Sequence, residues 1–251
     1  MNSRRWLIVL AAAALFVWGC GDDDPADPGD GGGTGPAVWS TAGGDFAATA
    51  SATVMVNLIG DYRWGSTAQM VADVENWLAN PDQDFGWLLM SEEAFPDTIS
   101  VKRFDTRENG TEANRPKLTV YHDGSSTPTV IPAAKDNTLY EDPEGDASNG
   151  AGEHLFAGRT AEMVDNLRRG LIAFQVSDSL GASTVVDSVF LDLHMSKTPA
   201  ITPYPLPFPI SLHRVSADWG EGTSVGEGGG EGIGGAATEG DATWLYRFFE
   251  P

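Results

Sequence analysis

The chain has 251 residues, with 15 Lys or Arg against 36 Asp or Glu and a formal charge of −21. That balance repels polyanions and argues against nucleic acid as a partner. Cys20 is the only cysteine, so a disulfide framework and a cysteine-based metal site are both excluded.

The chain opens with "MNSRRWLIVLAAAALFVWGC", a basic start (Arg4, Arg5) followed by an apolar run from Trp6 to Trp18. This is the layout of a secretory signal peptide, and the run is too short for a membrane span of about 20 apolar residues. A lone cysteine directly after such a run resembles a bacterial lipoprotein lipobox. Residues 1–19 are therefore predicted to be the signal, and Cys20 the site of lipidation. Without Arg4 and Arg5, 13 basic side chains remain against 36 acidic ones, a net charge of about −23. Residues 20–36 ("CGDDDPADPGDGGGTGP") hold too little apolar surface to offset their ordering entropy and read as a flexible tether. The expected location is outside the cell, lipid-anchored to a bacterial membrane or surface.

Residues 37–251 read as one domain of short strands punctuated by Gly, Pro, Asn and Asp. Predicted strands lie at 51–58, 85–91, 100–106, 117–122, 128–133, 137–141, 153–159, 170–177, 187–196, 210–216 and 242–249. In "SVFLDLHM", Val189, Leu191 and Leu193 alternate onto one face. One helix is expected over about 68–79, where Met70, Val74, Trp77 and Leu78 recur at helical spacing before Asn80-Pro81. Residues 220–241 are rich in Gly and Glu and are expected to form a long mobile loop. The pattern predicts an all-β fold, an antiparallel β-sandwich with one short helix.

Longer phrases carry a family resemblance. "KDNTLYEDPEGDASNGAGEHLFAGRT", "LRRGLIAFQVSDSLGASTVVDSVFLDLHMS", "ISLHRVSADWGEGTS" and "GDATWLYRFFEP" resemble successive parts of a DNRLRE-domain protein, a carbohydrate-binding-module-like family. So do "WSTAGGDFAATASATV", "YRWGSTAQMVADVENWLANPDQDFGWLLM" and "KRFDTRENGTEANRPKLTVYH". The two halves stand in circularly permuted order. Residues 37–122 resemble the family's C-terminal block, 129–251 its N-terminal block, and 123–128 join them. The resemblance implies a jelly-roll type sandwich and a non-catalytic, polysaccharide-binding or cell-surface structural role, some similar proteins taking acidic polysaccharides such as alginate. A monomer is expected when the halves close within one chain. Closing between chains would instead give head-to-tail self-association, as in a fibre subunit.

Candidate sites follow from chemistry. Sugar binding needs exposed aromatic faces beside polar groups, and Trp64 and Trp219, each next to a turn, are the candidates. Arg63, Arg107, Arg159, Arg168 and Arg169 hold much of the scarce positive charge; they either line a groove with these tryptophans or pair with carboxylates. Glu141, Asp142, Glu144, Asp146 and Asn149 in "YEDPEGDASNG" form either a Ca²⁺ loop or a solvated acidic turn. His122, His154, His194 and His213 belong to no G-x-S-x-G or H-E-x-x-H phrase, so no catalytic residues are assigned. A glycan-active hydrolase or lyase is the lesser alternative.

Overall fold

The computed structural model describes residues 37–91, 93, 94, 98–199 and 206–251; the predicted signal, the tether and Cys20 lie outside the described residues. In chain order the strands are β1 (Ala37–Val38), β2 (Ala52–Val56), β3 (Gly60–Gly65), β4 (Trp87–Ser91), β5 (Lys102–Asp105), β6 (Lys117–His122), β7 (Thr129–Pro132) and β8 (Lys135–Tyr140). They continue with β9 (Ala147–Ser148), β10 (His154–Arg159), β11 (Leu167–Ala173), β12 (Val186–Lys197), β13 (Phe208–Arg214), β14 (Gly235–Ala236) and β15 (Tyr246–Phe248). The helix α1 spans Ala68–Ala79, as its periodicity predicts. Among the described residues no helix is long and apolar enough to cross a membrane.

The main sheet is antiparallel and curls on itself into a sandwich-like all-β fold. One layer runs β2-β13-β4-β11-β8. The other runs β3-β12-β6-β7, with β5 beside the far end of β12. Strand β10 joins the layers, pairing with β5 over His154–Ala157 and with β11 at Gly158 and Arg159. Residues 123–128, predicted as the join between blocks, form the turn between the paired neighbours β6 and β7.

Two hydrophobic cores explain the sequence pattern. The central core lies between the layers and includes Trp64, Trp87, Leu89, Phe104, Leu118, Leu191, Ile210 and the buried face of α1. The second covers the outer face of the first layer, where Leu88, Leu139 and Leu171 meet Trp39, Val215, Trp219 and Trp244. Strand β4 thus feeds Trp87 and Leu89 to one core and Leu88 to the other. Both faces are buried, which is why "WLLM" reads as an unbroken apolar run.

Helix α1 starts at the N-cap Thr67, whose hydroxyl accepts a hydrogen bond from the Met70 amide. It also brings Asp73 into the core, 1% exposed. Ser51 Oγ and Trp87 Nε1 donate to Oδ2, the latter at 2.9 Å, and Gln69 Nε2 donates to Oδ1 at 3.0 Å. Arg214 Nε stands 3.6 Å from Oδ1. These partners compensate the desolvated carboxylate.

The 220–241 segment departs from the mobile loop expected. β14 pairs with β9. Glu231 Oε2 accepts hydrogen bonds from Asn149 Nδ2 and the His154 amide, both at 3.0 Å. The glycines that suggested mobility permit close packing instead: a Cβ at Gly220 would lie 1.8 Å from the Gly240 carbonyl oxygen. The predicted strand 242–249 also differs, being extended only over β15. There Tyr246 pairs with Val38 and Phe248 with Ala37. The preceding turn seats Trp244 in the second core.

Asp84 sits under the short turn Val176–Asp178, with Oδ2 accepting the Val176 amide at 2.9 Å and Oδ1 without a partner. Burial pushes its carboxyl up to about 6, against 3.8 for the free group, and the Val176 hydrogen bond offsets only part of this. The folded pKa is the higher, so its stabilising contribution is complete below pH 3.8 and lost as pH rises through about 6. Relative to Asp84→Asn, the parent should lose about 2 kcal/mol between pH 4 and 7. Urea unfolding of both proteins at the two pH values measures this; a constant difference would contradict it.

Candidate functional site

The outward face of the β3-β12-β6-β7 layer is open. Along β3, Asp61 and Arg63 point away from the central core while Trp64 points into it; on β12, Phe190, Asp192 and His194 alternate with the core residues Leu191 and Leu193. On β6, Lys117, Thr119 and Tyr121 alternate with Leu118 and Val120. A groove of about 370 Å³ crosses this face, lined by Arg63, Arg115, Lys117, Thr119, Asp192 and His194 among others. The half-buried Tyr121 and Phe190 rings lie alongside, centroids 6.2 Å apart and nearly perpendicular. Phe190 can lie across β3 because its neighbour is Gly65, where a Cβ would come within 2.2 Å of its ring.

The charges in the groove are unevenly satisfied. Arg63 forks onto Asp192, Nε to Oδ1 at 2.6 Å and Nη2 to Oδ2 at 2.8 Å, with its guanidinium 5.3 Å from the Phe190 ring centre. This exposed pair contributes little to stability. Arg115 Nε donates to the Asn109 carbonyl at 2.8 Å and Lys117 Nζ to the Ala113 carbonyl at 3.3 Å. Among the described residues neither forms an ion pair, in a chain with more than twice as many acidic as basic side chains.

His194 is held from behind. Its Nδ1 is 2.7 Å from Oδ2 of the buried Asp105, which also accepts from Asn114 Nδ2 at 3.0 Å. Asp105 Oδ1 faces His154 Nε2 at 3.7 Å, and His154 Nδ1 faces Glu231 at 3.2 Å. Asp105 orients the His194 ring toward the groove, but no hydroxyl or thiol is hydrogen-bonded to that ring among the described residues. The arrangement supplies a polar contact and no activated nucleophile.

The structure separates the residues that the sequence grouped. Trp64 and Trp219 are 0% and 1% exposed, so neither presents a face to a sugar. Trp64 is the inward residue of an edge strand and donates Nε1 to the Ile210 carbonyl at 2.8 Å. Trp219 turns under the first layer, donates Nε1 to the Phe85 carbonyl at 2.9 Å and lies beneath Lys135 Nζ. Of the five arginines, only Arg63 reaches the groove. Arg107 is bound by Glu108 and Glu221, Arg159 by Asn166 and the Glu93 carbonyl. Arg168 is buried against the Gly232, Asp165 and Leu167 carbonyls, with Glu162 3.5 Å away. Arg169 forks onto Glu93, with its guanidinium over Phe46 and Trp244. Pairing with carboxylates and carbonyls, not a shared aromatic groove, accounts for these four.

In the acidic segment the Asp142 side chain meets those of Glu144 and Asp146. Asp142 accepts the Glu144 and Asp146 amides, Glu141 accepts the Leu167 amide, and Glu144 and Asp146 are exposed. Asn149 is turned inward to the His154 carbonyl and Glu231. Of the two readings of this segment, the geometry favours the acidic turn: among the described residues no three of its acidic side chains come within metal-ligand reach of one another.

A different acidic cluster forms from distant segments. One oxygen from each of Glu108, Asp136 and Glu221 lies within 4.8 Å of the others. Burial, then the nearby Glu108, push the Asp136 carboxyl well above the usual carboxylate range. Burial also raises Glu108. Arg107 is raised above its usual value, chiefly by its hydrogen bonds to Glu221.

Compared with protein-family models, curated proteins and solved structures, the chain matches none. The reading of its function therefore rests on its own residues.

Proposed function

We propose that this is an exported, lipid-anchored, non-catalytic module, similar to DNRLRE domains with their halves permuted, that binds a polysaccharide across the open β3-β12-β6 face. The observation that carries the reading is the pair Arg115 and Lys117. Two cations that form no ion pair among the described residues line a groove flanked by Tyr121 and Phe190 on a chain of net charge −21. Aromatic edges and the exposed Val130 suit the apolar C–H faces of sugars; the cations suit carboxylate or sulfate substituents on them. The pairing of β15 with β1 of the same chain supports a monomer over the head-to-tail alternative, because that strand edge is already filled.

Affinity electrophoresis against neutral and anionic polysaccharides tests the proposal. The parent should be retarded by at least one anionic polysaccharide, and Arg115→Ala/Lys117→Ala should weaken that at least tenfold with an unchanged unfolding midpoint. A loss of about 1.4 kcal/mol corresponds to that factor. No retardation by any polysaccharide, or equal retardation of the double variant, would overturn the reading.

A further inference from the structure

We propose that Glu108, Asp136 and Glu221 hold one Ca²⁺ ion, at a site distinct from the polysaccharide groove. The cluster is built from the turn after β5, the start of β8 and the loop after Trp219. Asp136 is fully buried; its Oδ2 accepts the Arg107 amide at 2.9 Å, while Oδ1 has no partner. Glu108 Oε2 is a second buried oxygen without a partner. Leaving buried oxygens unsatisfied costs about 1–3 kcal/mol each, more when they are charged. A ligand that accepts their lone pairs removes this cost.

The geometry and charge select the ligand. Ca²⁺–oxygen distances of about 2.3–2.6 Å place oxygens on opposite sides of one ion about 4.8 Å apart. The three candidate oxygens fall within 4.8 Å of one another. Arg107 already forks onto Glu221, with Nε to Oε1 at 2.7 Å and Nη2 to Oε2 at 2.6 Å. Three carboxylates outnumber the Arg107 guanidinium and the Arg115 charge that also acts on Glu108, and a divalent cation offsets the remaining negative charge. All donors are oxygens, the set preferred by a hard cation, and the remaining coordination positions fall to water and backbone carbonyls. The ion would tie together three segments far apart in sequence, so its binding would stabilise the fold. The rival occupant of the same space is a proton shared between Asp136 and Glu108.

The purified chain, stripped with EGTA, is unfolded thermally at pH 7 with and without CaCl₂, and Ca²⁺ binding is followed by titration calorimetry. One ion per chain is expected, with a midpoint rise of roughly 5–10 °C when Ca²⁺ is at 100 times its dissociation constant. Asp136→Asn places an amide where the ion would sit and should abolish both signals while still unfolding cooperatively. Should that variant fail to fold, Glu108→Gln should weaken Ca²⁺ binding at least tenfold. Glu144→Gln/Asp146→Asn should leave the shift intact. No Ca²⁺ heat and no shift would overturn the site, and the shared proton would then account for the cluster. A shift unchanged in Asp136→Asn or in folded Glu108→Gln, or lost in the Glu144/Asp146 variant, would also overturn it.

Discussion

Ending the chain at Thr243 abolishes cooperative unfolding. The eight residues removed include β15, among the described residues the only strand paired with β1, and Trp244, which is 8% exposed. The Trp39 amide donates to the Leu245 carbonyl at 3.0 Å and the Gly43 amide to the Trp244 carbonyl at 2.7 Å. Losing Trp244 alone should cost about 3–5 kcal/mol by the scale of large-to-small core substitutions. Baring Leu88, Leu139 and Leu171 beneath it adds to that. Together these losses rival the roughly 5–15 kcal/mol that holds a domain folded. Circular dichroism and dye binding should report strand content without a sharp transition and with exposed apolar surface. A truncated protein that unfolds at the parent's midpoint would show that the second core is dispensable.

Trp87→Ala should destabilise the domain by about 3–5 kcal/mol through the central core. Trp87 packs edge-on to Trp77 at 4.6 Å and to Phe174 at 6.4 Å between ring centroids. Its Nε1 also supplies one of the donors that hold Asp73 as a buried carboxylate. The substitution leaves both a cavity and a less satisfied charge. Trp87→Phe keeps most of the volume and loses the donor, so its smaller cost isolates the hydrogen bond, about 1.5–3 kcal/mol for a charged acceptor. Urea unfolding gives both numbers. A loss below about 1 kcal/mol for Trp87→Ala would contradict the place given to this residue.

Much of the fold was legible because local pattern and burial agree. The α1 stripe of Met70, Val74, Trp77 and Leu78 predicts its own boundaries, and "SVFLDLHM" predicts β12. Strand β3 was missed although Asp61-Tyr62-Arg63-Trp64 alternates, because its bounding glycines look like a turn. That omission misplaced Trp64, whose position next to Gly65 suggested exposure. Trp219 was misread for a related reason: loop residues of the second core are buried by tertiary packing that no local period records. The groove was legible only in part. Arg63 stood out as scarce charge, but Arg115 and Lys117 in "RPK" look like an ordinary strand entrance until β12 and β3 are set beside them. Glu108, Asp136 and Glu221 share no segment at all, whereas the acidic run Glu141–Asp146 is conspicuous in sequence but folds as a local turn around Asp142. Spacing finds sites made by one loop; it does not find those made by three.

Recognition of a polysaccharide by the open β3-β12-β6 face should be visible in hydrogen exchange measured with and without the polysaccharide that retards the parent. Exchange should slow in peptides covering Gly60–Gly65, Asn109–His122 and Val189–Met195, with little change in β1, β13 and β15. Protection centred on the β1–β15 edge or on the first layer, or no protection in saturating polysaccharide, would contradict it.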